Sequence, residues 1–162
     1  MFGDIERVLE ALGRKDVRFL VVGGVAVVLH GHLRTTADLD LVVQLEKENV
    51  LHALRALEEL GYRPRAPVDA ADFADPEIRG VWIREKNLEV FSLWSDKSHF
   101  EVDLFVTEPF EFNEVYEQAM VVDLGSTRVR VVPKPVLIAM KRQVGRSRDL
   151  DDIESLEALD VE

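Results

Sequence analysis

Between Phe19 and Val43 the chain reads FLVVGGVAVVLHGHLRTTADLDLVV, and this stretch limits the fold more than any other. An apolar run ends in Gly23-Gly24, a second short apolar run follows, and Asp38-Leu39-Asp40 then sits inside a third. In an extended strand, residues two apart share a face. Asp38 and Asp40 therefore point the same way, while Leu39 and Leu41 point into the core. Two close carboxylates repel unless a cation lies between them. A strand that carries them beside a glycine pair is suited to holding a metal next to an anion.

Other acid pairs two apart recur along the chain, so the spacing alone carries little. The setting discriminates. Only Ala37-Asp38-Leu39-Asp40-Leu41 and Phe100-Glu101-Val102-Asp103-Leu104 alternate acid with apolar residues on every side. Both read as half-buried strands with an acidic stripe. If the two strands are neighbours, three or four carboxylates meet on one face. Otherwise they are ordinary solvent-facing stripes. Gly23-Gly24, between a strand and a helix, lets backbone amides approach an anion closely. It is neither a dinucleotide fingerprint nor a P-loop, because no third glycine and no Gly-Lys-Ser/Thr follows.

The rest of the chain supplies the frame. Asp4–Leu12 is an amphipathic helix, 17–22 a buried strand, 25–30 a short helix, 38–43 a strand and 46–60 a helix stopped by Gly61. Residues 63–75 read as a loop, and 80–84, 88–94 and 100–106 as three successive strands, the first two joined by a turn at Lys86-Asn87. Residues 112–119 are helical, 121–124 and 127–132 form a hairpin, and Pro133 opens the first of two terminal helices. This order points to an α/β (α+β) fold, a mixed sheet flanked by helices with further helices at the C-terminus. We expect a core over residues 1–132 and a helical segment over 133–162 packed on it as one domain.

The chain has 162 residues, no cysteine and a formal charge of -11. Disulfides and thiolate metal sites are excluded. The charge argues against broad, sequence-independent binding to a nucleic-acid backbone, which needs a positive surface, and leaves a local basic patch open. No apolar run is long enough to span a membrane and the N-terminus lacks a signal-peptide pattern, so a cytoplasmic location without membrane contact is expected. A basic cluster, Lys141, Arg142, Arg146 and Arg148, precedes an acidic end. His30, His32, His52 and His99 share no metal-ligand spacing. Trp82, Phe91, Trp94 and Phe105 read as core.

Val22-Gly23-Gly24, thirteen intervening residues and Asp38-Leu39-Asp40-Leu41 resemble the signature of the nucleotidyltransferase superfamily, the fold shared with DNA polymerase beta. Arg34-Thr35-Thr36-Ala37-Asp38 resembles the Arg-x-Thr-x-Asp form of AbiEii-like toxin, or minimal, nucleotidyltransferases and of the related aminoglycoside and lincosamide enzymes. Lys141-Arg142 through Arg146-Ser147-Arg148-Asp149-Leu150-Asp151-Asp152 resembles the C-terminal pattern of AbiEii-like members, with Arg148 in place of a lysine. The resemblance implies Asp38, Asp40 and Asp103 as catalytic and metal-binding carboxylates for two Mg2+ ions. It implies Gly23, Gly24, Arg34, Thr36 and Lys141 as contacts to a nucleoside triphosphate such as ATP. The implied reaction moves a nucleoside monophosphate to a hydroxyl of RNA or tRNA, a protein or a small molecule. A toxin–antitoxin role with a cognate antitoxin or other partner protein is also implied.

Residue by residue, plainer roles remain. Arg34 can pair with Glu101 or Asp38, Thr36 can cap a turn, and Lys141 can be solvated. Arg146, Arg148, Asp149 and Asp152 are spaced for salt bridges. A silent nucleotidyltransferase-like binding subunit, or an interaction protein with acidic surface stripes, are the competing readings.

Overall fold

A computed structural model describes residues 2–159. In chain order the elements are α1 (Phe2–Arg14), β1 (Phe19–Val22), α2 (Gly23–Leu29), β2 (Asp38–Val43), α3 (Lys47–Glu59) and β3 (Arg63–Pro64). A 3-10 turn (Ala70–Ala74), α4 (Pro76–Lys86), β4 (Val90–Trp94) and β5 (Glu101–Phe105) follow. The chain ends with α5 (Phe112–Gln118), β6 (Met120–Asp123), β7 (Arg128–Val131), α6 (Lys134–Val144) and α7 (Ser147–Ala158).

The seven strands form one mixed sheet in the order β3-β4-β5-β2-β1-β7-β6. β2 runs parallel to β5 and β1 parallel to β7; the other pairs are antiparallel. The fold class expected from the sequence is the one observed. β1 is buried at every position, as expected of a central strand. β2 buries Leu39 and Leu41 completely and leaves Asp38 and Asp40 half-buried on the other face. Ile5, Val8, Leu9 and Leu12 form the buried stripe of α1, which packs on α3 and β7. α2 packs on β1, β2 and α6, and α6 packs on α7. Among the described residues no helix is long and apolar enough to cross a membrane.

Three segments correct the sequence reading. Residues 80–84 belong to α4 and not to a strand. The Asp75 carboxylate accepts from the Glu77 backbone N–H at 2.9 Å, and Pro76 opens the helix. Asn87 closes it with φ of 51°, so Lys86-Asn87 is a helix stop and not a hairpin turn. The apolar Val81-Trp82-Ile83 run faces the sheet through Trp82, which stacks on Phe91 with centroids 5.3 Å apart. The 63–75 region also carries more order than a loop, since β3 pairs with β4 and Phe73 is fully buried against Phe91. The glycine pair forms the first turn of α2 instead of preceding it, and Gly23 takes φ of +68°.

Candidate active site

Strand register brings the acids together. Across the sheet Val22 faces Asp40, Asp40 faces Asp103 and Asp103 faces Ser92. One step along, Asp38 faces Glu101. Adjacent strands lie about 4.8 Å apart, so these pairs are immediate neighbours. The two acidic stripes are therefore one surface, made by parallel strands from distant parts of the chain.

The electrostatics match that crowding. Asp40 is pushed up to about 7, first by burial and then by the charges of Asp103 and Asp38, against the pull of Lys141 and Arg146. Asp103 is raised by burial and by Asp38 and Glu101, with hydrogen bonding to Ser92 and Asp40 opposing. Asp38 is raised by burial and by Glu101, with Arg148 opposing. The Oδ1 atom of Asp103 is buried and has no hydrogen-bond partner. A methyl group on Gly23 would lie 2.1 Å from Asp40 Oδ2, so this glycine is what lets the backbone pass the carboxylate. All-oxygen donors, an orphaned buried oxygen and three carboxyls held above their ordinary range suit a hard divalent cation. The three do not close round a point in the manner of a finished cage: among the described residues no cluster of three or more His, Asp or Glu has that geometry.

A basic group stands at the other side of the glycines. A methyl on Gly24 would lie 2.7 Å from Arg34 Nη2 and 2.8 Å from Thr36 Oγ1. Thr36 Oγ1 donates to the Asp38 carbonyl at 3.0 Å, bracing the entry to β2. Arg34 pairs with neither Glu101 nor Asp38; its Nη2 donates to Asp152 Oδ2 at 3.1 Å. Its Nε lies 3.0 Å from Asp152 Oδ1, within ion-pair range but without the alignment of a hydrogen bond. Glu101 is held instead by Arg65. Lys141 is 7% exposed, not solvated, and its Nζ sits 2.9 Å from Asp152 and 3.5 Å from Asp149. Arg146 donates through both its backbone N–H and its Nε to Asp149 Oδ2, at 3.2 and 2.9 Å. Burial alone would raise Asp149, but these bonds and the charges of Arg146 and Lys141 hold it below the usual carboxylate range.

The structure thus gathers Gly23, Gly24, Asp38, Asp40 and Asp103 on one side and Arg34, Thr36 and Lys141 beside them. Asp149 and Asp152, read from sequence only as salt-bridge formers, are buried at 4% and 2% exposure and fix the basic group in place. Their spacing with Arg148 on one face of α7 was the available signal. His30 lies apart, bonded to the Val132 carbonyl at 2.8 Å. Trp94 lies under Arg63 and Arg65, with the Arg63 guanidinium 4.3 Å from the ring centroid.

Comparisons with known proteins agree with this frame. The model of the aminoglycoside-2''-adenylyltransferase family matches residues 4–154. Among solved structures, the lincosamide antibiotic adenylyltransferase LnuA, lincomycin-bound, is similar at a TM-score of 0.66 and 14% identity, over 97% of this chain and 96% of that one. The structure of ANT(2'')-Ia in complex with adenylyl-2''-tobramycin is similar at a TM-score of 0.59 and 16% identity, over 98% and 87% of the two chains. At these identities the likeness is one of fold. No curated protein sequence matches the chain.

Proposed function

The chain belongs to the aminoglycoside-2''-adenylyltransferase family and is a nucleotidyltransferase, and from that premise we propose that it transfers AMP from ATP to a hydroxyl of a small-molecule acceptor, with magnesium. The observation that carries this reading is the Asp40–Asp103 cross-strand pair beside Gly23, with one buried Asp103 oxygen left unbonded.

Asp38, Asp40 and Asp103 would hold the ions, two in number by the resemblance. Bound magnesium supplies charge neutralisation at the phosphates and acidifies a hydroxyl. The remaining work falls to the chain itself. The backbone at Gly23-Gly24 admits the β and γ phosphates without obstruction. Arg34 and Lys141 oppose their charge from the far side, and Thr36 holds the loop that presents Arg34. Asp103, the third carboxylate, faces Asp40 across the sheet and takes the proton of the acceptor hydroxyl or orients that hydroxyl as its oxygen attacks the α phosphorus. The new P–O bond forms in line with the bond to pyrophosphate, which breaks and takes the electron pair. Positioning and charge stabilisation suffice for such a transfer.

The small-molecule acceptor is supported by the family and by the solved structures of similar fold, one lincomycin-bound and one in complex with adenylyl-2''-tobramycin. A toxin–antitoxin role, with RNA or protein as acceptor and a cognate antitoxin, rests on the AbiEii-like Lys141–Asp152 pattern. Those residues bond one another and the 34–36 loop. The pattern therefore speaks to the nucleotide end of the site and carries no information on the acceptor. A silent binding subunit is disfavoured because all three carboxylates are present.

The test is incubation with magnesium-ATP and a panel of aminoglycosides and lincosamides, read by mass spectrometry. An acceptor heavier by one adenylate, formed by the wild type and not by Asp40→Ala, supports the reading. Transfer that persists in Asp40→Ala refutes the site, and transfer only to RNA or protein refutes the acceptor class.

A further inference from the structure

The fold sends α7 back across the molecule to the loop before β2, and the contact it makes there is specific. Asp152 is 2% exposed and meets Arg34, 118 residues earlier, through both carboxylate oxygens. The same carboxylate takes Lys141 Nζ at 2.9 Å. One turn earlier on α7, Arg148 Nη2 donates to the Thr35 carbonyl at 2.6 Å, so the loop is held at two successive residues from a single helix face. Arg34 Nη2 in turn reaches the space a Cβ on Gly24 would need.

We propose that Asp152 is a positioning residue for the nucleotide's phosphates: it fixes Arg34 and Lys141 beside Gly24, which makes α7 part of the triphosphate site. This rests on the nucleotidyltransferase reading above and assigns a role to a residue outside its catalytic set.

Geometry and entropy both support it. Among the described residues Asp149 and Asp152 hold Arg34, Lys141 and Arg146 through direct ion pairs. The charges of Lys141 and Arg146 also act on Asp40, so the cations stand beside the acidic pocket, where a polyanion brought in with a cation would meet them. Arg34 also lies in irregular chain between α2 and β2. A free arginine there would lose its side-chain freedom on each binding event, whereas one already held by Asp152 has lost it on folding.

The experiment is calorimetric titration of the purified protein with magnesium-ATP and with magnesium tripolyphosphate, for the wild type, Asp152→Asn, Arg34→Gln and the double variant. Each single change is expected to weaken tripolyphosphate binding by roughly tenfold or more, and the double to fall well short of the product of the two, the remainder coming from the hold of Asp152 on Lys141. Asp152→Glu, which keeps the charge, restores part of the loss. In the transfer assay KM for ATP rises in Asp152→Asn while KM for the acceptor stays put, a split that general loosening of the fold would not give. If Asp152→Asn does not melt cooperatively, Arg34→Lys takes its place; it keeps the charge, loses the two-point contact and is expected to bind tripolyphosphate more weakly. A folded Asp152→Asn or Arg34→Lys variant with wild-type affinity, or single effects that multiply in the double, overturns the proposal and leaves the enzymatic reading intact. A wild type that binds neither ATP nor tripolyphosphate overturns both.

Discussion

Asp40 makes the metal-free protein pay for its own active site, and the cost is measurable. Its carboxyl is pushed from 3.8 up to about 7 by burial and by Asp103 and Asp38. A folded-state pKa above the unfolded one means the folded chain holds its proton more tightly. The penalty is absent below about pH 4, grows as pH rises towards 7, and is complete above it. Three units at about 1.4 kcal/mol each set a ceiling of about 4 kcal/mol. Because Asp103 and Asp38 share the proton with it, about half that is the expected cost. Asp40→Asn removes the charge and keeps the shape. At pH 8 without divalent cations it should therefore melt about 4–8 °C above the wild type, using the ordinary scaling for a domain of this size. The gap should shrink as pH falls and vanish near pH 4. Saturating magnesium should raise the wild type and leave the variant where it was. The assay is thermal melting followed by circular dichroism across pH, with and without magnesium. A variant that melts below the wild type at pH 8, or a gap that does not change with pH, would refute the reasoning.

Three further outcomes are expected. Gly23→Ala places a methyl 2.1 Å from Asp40 Oδ2 at a residue with φ of +68°, so magnesium-ATP binding should be lost with a stability cost of about 1–2 kcal/mol, read by calorimetry and melting. Phe91→Ala removes a buried ring stacked between Phe73 at 5.0 Å and Trp82 at 5.3 Å, and should cost about 3–4 kcal/mol in urea unfolding while magnesium-ATP affinity in the folded protein is kept. Asn49→Ala strips three backbone partners, the Arg18 N–H and the Arg18 and Gln44 carbonyls, and should cost about 2 kcal/mol by the same measurement.

What could be read from the chain alone follows from range. Gly23-Gly24 and Asp38-Leu39-Asp40 lie within one strand–helix–strand unit, and their alternation states both the fold and the face. Asp103 was legible as a second acidic stripe, but the parallel register that sets it against Asp40 joins residues 63 apart in the chain and leaves no local mark. The partner of Arg34 was not legible, because Asp152 lies on another helix at the far end of the chain. Lys141 was legible as a nucleotide contact only through the resemblance, with a solvated helix residue as the plainer reading, since nothing near it in sequence announces that Asp149 and Asp152 enclose it. The strand assigned to residues 80–84 failed for the opposite reason. A three-residue apolar run fits a strand or a helix equally well, and the Asp75-Pro76 start and Asn87 stop that decide it lie outside the run.

The central claim is that three sheet carboxylates hold magnesium for a bound nucleoside triphosphate. Calorimetric titration of the wild type and Asp40→Ala with each of the common ribonucleoside triphosphates, with and without magnesium, tests it most directly. The account predicts binding of ATP that requires magnesium and is lost in the variant. Binding that is indifferent to magnesium, or that survives in Asp40→Ala, would contradict it.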